Sequence, residues 1–385
     1  MKKILFVTTR NPFSKQYSGD RLRSSQIIKY LAKKNKLDMV YLDNQNNEVI
    51  TDKSFKGSKF FFKRNLFLSL INSFLQLLKI NPLQLGFFYS EKAHKFIENQ
   101  HNNYDVIIFH LLRSTKHMPT SFTGKKILEM TDVYSDNYKQ TFNQISFLNP
   151  LFYLYFFEYL LIKNYEKKCS NIFDKIVLVD NNNLDKTKHI LKDKVVKINN
   201  GSFSQKKSFV FKKNNNKILF IGNIKYLPNK EACFYFTKKI LPKINMKFPE
   251  IEFHIIGEIS TLSKIILMRY NNVKVLGPKK NLDKLIKNSI CGISNLNIAT
   301  GMQNKILSYM SYGIPTICSY KSFNNFAFKK NKDLLIYKND EQLINLIFQL
   351  KTNKKLSNKI SKGGYQKVKS NFNWDRVLKK YSKII

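Results

Sequence analysis

The chain opens on an apolar run at 4–9, followed by a polar loop and by a segment, 20–34, in which Ile27, Ile28 and Leu31 share one helical face. A second apolar run at 37–42 completes a strand–helix–strand unit. The alternation restarts past the middle of the chain. Lys217-Ile-Leu-Phe-Ile221 predicts a strand, Gly222 through Pro228 a loop, 229–247 a helix and 251–256 the next strand. Further on, 273–276, 290–294 and 315–319 read as strands and 281–287 and 302–312 as helices. Helices then dominate from 341, with Trp374 opening the last. Strands separated by helices predict parallel sheets, and two such openings predict an α/β chain with two doubly wound sheets. The polar, lysine-rich segment 204–217 between them reads as a linker.

Two stretches are more apolar than their surroundings. Residues 65–80 are interrupted by Ser69, Asn72, Ser73 and Gln76, and 151–162 carry Glu158. Neither reaches the ~20 unbroken apolar residues of a membrane span. Each is expected as a buried helix, with an interfacial helix as the alternative. The first nine residues hold too short an apolar run for a signal peptide and read as a buried strand.

Composition changes this picture in one respect. Of 385 residues, 67 are Lys or Arg and 26 are Asp or Glu, a formal charge of +41. Lys, Asn, Ile and Phe abound throughout, as codon bias produces, and the lysines form no single tail. A basic, aromatic surface suits an anionic membrane. No zinc-finger spacing, RNP-type strand or helix-turn-helix accompanies the charge, so no nucleic-acid partner is expected. Cys169, Cys233, Cys291 and Cys318 are scattered among apolar neighbours and read as reduced core thiols of a cytoplasmic protein.

Candidate chemistry lies in the loops after strands, where doubly wound sheets bind ligands. Tyr17-Ser-Gly19-Asp-Arg21 sets a glycine at a helix start, where free amides favour a phosphate or sugar hydroxyl; a turn glycine with an Asp20 cap is the plainer reading. The loop Gly222-Asn223-Ile-Lys225 again joins strand to helix, and Lys225 could offset phosphate charge, though it could equally be one surface lysine among many. The sharpest segment runs from Asn297 to Pro315. Amides of Gly301, Met302, Gln303 and Asn304 face a helix N-terminus there, with Lys305 available to neutralise an anion such as a diphosphate.

These runs resemble the GT4-type retaining glycosyltransferases, especially the bacterial surface-polysaccharide branch, whose second domain reads roughly G-x-M-x-Y-x-P-N and later G-x-Q-N-K-x-L-E-A-M-x-x-G-x-P. The counterparts are Gly222 to Asn229 and Gly301 to Pro315, and the resemblance extends to Ser18-Gly-Asp-Arg21, His110-Leu-Leu-Arg113, Thr131-Asp-Val133, Tyr165-Glu166, Asn200-Gly201 and Trp374. It implies the GT-B fold, with two Rossmann-like doubly wound domains facing a cleft and a C-terminal helix crossing back to the N-terminal domain. The implied divisions are an acceptor-side domain at 1–203, a linker at 204–216, a nucleotide-sugar-binding domain at 217–370 and the returning helix at 371–385. By the same resemblance His110, Gly19 and Arg21 are catalytic, and Gly222, Asn223, Lys225, Gly277, Gly301, Met302, Gln303, Asn304, Lys305 and Ser308 bind the donor. No metal or other cofactor is implied, since the leaving diphosphate is stabilised by cations and helix dipoles and itself helps deprotonate the acceptor. Many relatives carry two acidic residues where this chain has Thr300 and Ser308, and arginines where it has Asn223 and Asn297.

The leading expectation is therefore a nucleotide-sugar glycosyltransferase acting with retention on a growing polysaccharide or lipid-linked glycan, in the cytoplasm or peripherally on the inner face of the membrane. Thr300, Ser308 and Asn223 motivate the alternative of a catalytically degenerate partner in polysaccharide assembly. A sugar-nucleotide epimerase of the same fold needs paired carboxylates and histidines, for which only Asp132, Glu258 and a few histidines are candidates.

Overall fold

The computed structural model describes residues 1–14, 18–43, 55–143, 145–179, 191, 194–203, 205–279, 281–297, 303–323 and 328–385. They form two compact units, Met1–Asn199 together with Leu378–Ile385, and Asn200–Val377.

The first unit holds a seven-stranded sheet ordered β3-β2-β1-β4-β5-β6-β7. Its strands are β1 (Lys3–Thr8), β2 (Lys36–Asp43), β3 (Lys59–Lys63), β4 (Val106–His110), β5 (Lys125–Thr131), β6 (Lys175–Leu178) and β7 (Val195–Lys197). Every pairing is parallel. The central strands are apolar throughout Ile4–Val7 of β1 and Val106–Phe109 of β4 because helices cover both faces, which is why they read as continuous runs and not as alternations. The second unit repeats the topology in six strands, ordered β10-β9-β8-β11-β12-β13 and again wholly parallel. These are β8 (Lys217–Ile221), β9 (Glu252–Ile256), β10 (Val273–Gly277), β11 (Ser289–Ser294), β12 (Thr316–Ser319) and β13 (Leu335–Tyr337). Strand order reverses between β1 and β4 in one sheet and between β8 and β11 in the other, so each unit has its own switch point for a ligand.

Several expectations change. The helix expected over 229–247 is Leu227–Tyr235, a wide π turn at Phe236–Ile240 and Leu241–Asn245. Pro242 has no N–H to give and its ring crowds the preceding turn, which displaces the ladder by one residue. Residues 281–287 form turns, with the Asn281 side chain accepting from Asp283 N at 2.7 Å. The expected linker is bound along the second unit. Ser208 N and Phe209 N donate to Tyr312 O, and the Asn215 side chain donates to Val210 O and Ser289 O. All four cysteines are buried and unbridged.

The buried-helix reading of the two apolar stretches is overturned. Helix Leu66–Leu78 exposes Phe67, Leu70, Phe74 and Leu78 while Ser69 and Gln76 are buried. Helix Pro150–Ile172 exposes Leu151, Leu154 and Phe157 and buries Glu158 and Glu166. The buried carboxylates act as caps. Glu158 accepts from Leu83 N (3.0 Å) at the start of helix Leu83–Phe87, and Glu166 accepts from Ser135 N (3.2 Å) and Ser135 Oγ (2.5 Å) in the first turn of helix Tyr134–Phe142. No described helix is long and apolar enough to cross a membrane.

Candidate functional site

In the first unit the site is built where β1 and β4 end side by side, Thr8 opposite His110. His110 is buried, its Nδ1 lies 3.1 Å from Thr8 Oγ1, and its Nε2 has no hydrogen-bond partner among the described residues. Burial lowers its pKa to about 3; Asp20 opposes that shift, and Arg113, Arg23 and Arg10 reinforce it. The imidazole is thus neutral at ordinary pH and suited to hydrogen bonding, not to shuttling protons. The residue after β4 and the last residue of β5 carry backbone strain, with φ of 69° at Leu111 and 71° at Thr131. Side-chain-bearing residues adopt such angles where the surrounding fold imposes them, often beside functional loops.

Gly19 is exposed and opens helix Gly19–Ala32 behind Ser18. The neighbouring Asp20 is gripped by Arg10 Nη1 (3.0 Å), Arg113 Nη2 (3.4 Å) and Ser18 Oγ (2.5 Å). Burial alone would raise its carboxyl, but Arg10, the Ser18 hydroxyl and Arg113 together hold it down at about 2. Arg113 also donates from Nε to Thr9 Oγ1 at 2.8 Å and lies 4.3 Å from the centre of the Phe88 ring. Arg64 lies 4.5 Å and 4.7 Å from the rings of Phe87 and Phe88. Arg21 turns to the end of β2, where it meets Asp43 (3.9 Å) and Ser14 (3.1 Å). Four arginines, Arg10, Arg21, Arg64 and Arg113, thus share this end of the sheet with three carboxylates, Asp20, Asp43 and Asp132. The balance among the described residues is cationic.

Beneath this edge Arg23 and Glu129 form a fully buried ion pair at 2.8 Å. Arg23 also donates to Ile198 O and Asn199 O, and Tyr381 of the C-terminal segment donates to Glu129. Burial raises the Glu129 carboxyl, with Arg23 opposing. The cluster ties residues 378–385 into the first unit.

In the second unit the site gathers at the ends of β8 and β9. Gly222 N donates to Ile256 O, and Gly257, at φ 142°, approaches so closely that a β-carbon would fall 1.8 Å from Gly222 O. Only glycine fits there. Gly257 N in turn donates to Gly277 O at 3.0 Å, fixing the Gly277 turn at φ 68°. Asn223 caps its own loop by accepting from Lys225 N at 2.9 Å, and Asn223 O accepts from Asn229 Nδ2 at 2.8 Å. Asn229 Oδ1 then receives Lys305 Nζ at 2.6 Å. Lys305 is buried, its ammonium 4.1 Å from the centre of the Phe220 ring, and burial lowers its pKa to about 7. No carboxylate among the described residues pairs with it.

Helix Asn304–Ser311 starts two residues later than expected, after an extended Gln303. Gly301 and Met302, with Thr300, lie outside the described residues. Asn304 accepts from Asn200 Nδ2 at 2.9 Å, and the Ser308 hydroxyl bonds Asn304 O within its own helix. Lys225 is mostly exposed and lies 3.6 Å from Glu258, at the edge of the cluster. Gly222, Asn223 and Lys305 therefore cluster through Asn229, whereas Asn304 is held by Asn200 and Lys225 and Ser308 have partners of their own. Sequence reasoning missed Asn229 as a hub, the Glu258 partner and the arginines at 10, 64 and 113 as a group. Among the described residues no set of three His, Cys, Asp or Glu side chains is placed to hold a metal ion.

Residues 215–353 match the family model described as Glycosyl transferases group 1. No curated protein matches the sequence. Among solved structures, sucrose-phosphate synthase from Thermosynechococcus elongatus aligns at 12% identity with TM-score 0.73, over 100% of this chain and 98% of that one. S. aureus TarM, as a mutant in complex with Fondaparinux, alpha-GlcNAc-glycerol and UDP, aligns at 12% and 0.71, over 100% and 99%. Anabaena HepE in complex with UDP and glucose aligns at 11% and 0.70, over 100% and 99%. The chain has the GT-B fold, and its second unit carries the group 1 sequence match.

Proposed function

We propose that the protein is a glycosyltransferase that uses a nucleoside-diphosphate sugar, with the diphosphate held at the Gly222 loop and at the start of helix Asn304–Ser311. One observation carries this reading. Lys305 is a buried amine with an amide partner and no carboxylate among the described residues, set at a helix start beside a glycine turn, so an anionic ligand is what would complete it as a cation. The group 1 match covers these residues, and UDP is present in the HepE and TarM complexes, which makes UDP-sugars the first donors to test.

In the proposed reaction the bond between the sugar anomeric carbon and the diphosphate breaks as the acceptor hydroxyl adds on the same face, giving retention. Lys305 and the amides of Asn304 and its neighbours stabilise charge on the departing diphosphate, and a diphosphate oxygen takes the acceptor proton. Neutral His110, oriented by Thr8, contributes a hydrogen bond from Nε2 to the transferring sugar. Lys305 supplies the cation, so turnover with a chelator present is part of the proposal. The arginines around Asp20 favour an acceptor bearing phosphate or carboxylate, as a lipid-linked glycan or anionic polysaccharide does. We place the enzyme at the cytoplasmic face of a membrane, on the strength of its exposed apolar helices and its charge.

The test is calorimetry with UDP and other nucleoside diphosphates, then nucleotide release and transfer with a panel of labelled donors. Product anomers are read by NMR, and Lys305→Met serves as the control. No nucleotide bound and no donor turned over would sink the enzyme reading. A second reading, a non-catalytic partner in glycan assembly, draws support from Ser308, whose hydroxyl is spent on its own helix where a ribose-binding carboxylate is common. It predicts that Lys305→Met and His110→Ala leave glycan production intact while deletion abolishes it.

A further inference from the structure

Helix Leu66–Leu78 is amphipathic the wrong way round for a water-soluble surface. Ser69, Asn72, Ser73 and Gln76 stand at i, i+3, i+4 and i+7 and form one stripe, and that polar stripe faces inward. It lies against helix Leu83–Phe87 so tightly that a β-carbon on Gly86 would sit 2.2 Å from Asn72 O. The opposite face presents Phe67, Leu70, Phe74 and Leu78, each 60% to 70% exposed. Helix Pro150–Ile172 joins the same assembly through Glu158, which caps helix Leu83–Phe87, and it exposes Leu154 and Phe157. Apolar side chains exposed in such numbers cost free energy in water and mark a surface that something covers.

Charge identifies the cover. Residues 55–90 contain Lys56, Lys59, Lys63, Arg64 and Lys79 and no acidic residue. On helix Pro150–Ile172 both glutamates are buried while Lys163, Lys167 and Lys168 are exposed. Every exposed ionic group on these two elements is therefore basic, which complements an anionic lipid headgroup layer. At ~1.5 Å per residue, helix Leu66–Leu78 is about 20 Å long, too short to span a bilayer and suited to lying in its interface.

We propose that helices Leu66–Leu78 and Pro150–Ile172 form a docking face for an anionic bilayer, and that this face leads to the arginine cluster at the end of the first sheet. The path is built into the chain. Arg64 directly precedes Asn65, the side chain that caps helix Leu66–Leu78, and stacks on Phe87 and Phe88; Phe88 also carries Arg113, which grips Asp20. A lipid-linked acceptor with its tail in the bilayer presents its phosphate to those arginines. The inference rests on the membrane-linked acceptor proposed above and names the surface that serves it.

The experiment is flotation of the full chain with vesicles of phosphatidylcholine alone or mixed with phosphatidylglycerol. It compares wild type with Phe67→Ser/Phe74→Ser and with Leu154→Ser/Phe157→Ser, all substitutions at exposed positions. Wild type is expected on the anionic vesicles only. Each double variant should lose on the order of tenfold or more in partitioning while keeping its thermal midpoint and its turnover of a water-soluble acceptor. Equal binding by wild type and both variants overturns the docking face and leaves the membrane reading standing. Absence of wild-type binding overturns both. Equal binding to neutral vesicles refutes the role of charge. Self-association that the same variants abolish, without vesicle binding, reassigns the face to a second copy of the chain.

Discussion

Lys305 gives the sharpest test, because its environment dictates a proton count. Burial moves its pKa from 10.5 to about 7, a shift equivalent to roughly 5 kcal/mol between charged and neutral forms. Among the described residues the ammonium meets the Asn229 amide, the Phe220 ring and, nearby, Cys233, too little to sustain full charge. At pH 8 the free protein therefore holds the lysine about nine tenths neutral. A bound diphosphate supplies the missing counter-charge and raises the pKa again, so UDP binding at that pH takes up close to one proton from solution. Isothermal calorimetry of UDP in buffers of different ionisation enthalpy measures that number directly. The expected slope is ~0.9 proton at pH 8, falling to ~0.1 near pH 6, where the free lysine is already charged. Lys305→Met should show none of this uptake, which separates the lysine from titration of the nucleotide itself. A wild-type slope near zero at pH 8, with UDP bound, refutes the assignment of Lys305 to the diphosphate.

Two further outcomes follow from the first unit. His110 has a folded pKa near 3 against 6.5 unfolded, so the unfolded chain binds the proton first and stability is lost as pH falls from about 6.5 toward 3; His110→Asn should flatten that part of a thermal-midpoint curve relative to wild type. Arg23→Met strands the Glu129 carboxylate in the core and is expected to cost about 3–5 kcal/mol in urea unfolding, with Arg23→Met/Glu129→Gln recovering part of it; a single-variant loss below ~1 kcal/mol contradicts the buried pair.

Much of the architecture is visible in the chain because a two-sided parallel sheet writes itself as short, wholly apolar runs. Strands β1, β8, β9 and β11 lie within a residue or so of where those runs fall. Edge strand β3 escapes, since Lys-Phe-Phe-Phe-Lys is half exposed and carries no clear run. The glycine turn at 222 and the helix after Gln303 are readable as anion sites because each is local. Asn229 and Lys305 are 76 positions apart and meet only because β8 and β11 are neighbours in the sheet. Glu129 meets Arg23 from 106 positions away and Tyr381 from 252. One signal was present: a lone glutamate inside the apolar strand Lys-Ile-Leu-Glu-Met-Thr demands a buried partner, though not which one.

The apolar helix shows a different kind of limit. A period of 3.6 says that Ser69, Asn72, Ser73 and Gln76 share a face, but not whether that face points to a core or away from it. Direction is decided by what the other side meets, and soluble proteins train the expectation that apolar means inward. Here the contact partner is the backbone at Gly86, which needs small and polar neighbours for close approach, as helices packed within a bilayer also do. The polar breaks that argued against a membrane span are therefore the residues that bind the helix to the protein, and they leave its apolar side exposed. Charge is what favours lipid in the proposal, because the glutamates on helix Pro150–Ile172 are buried as caps and its exposed ionic groups are lysines.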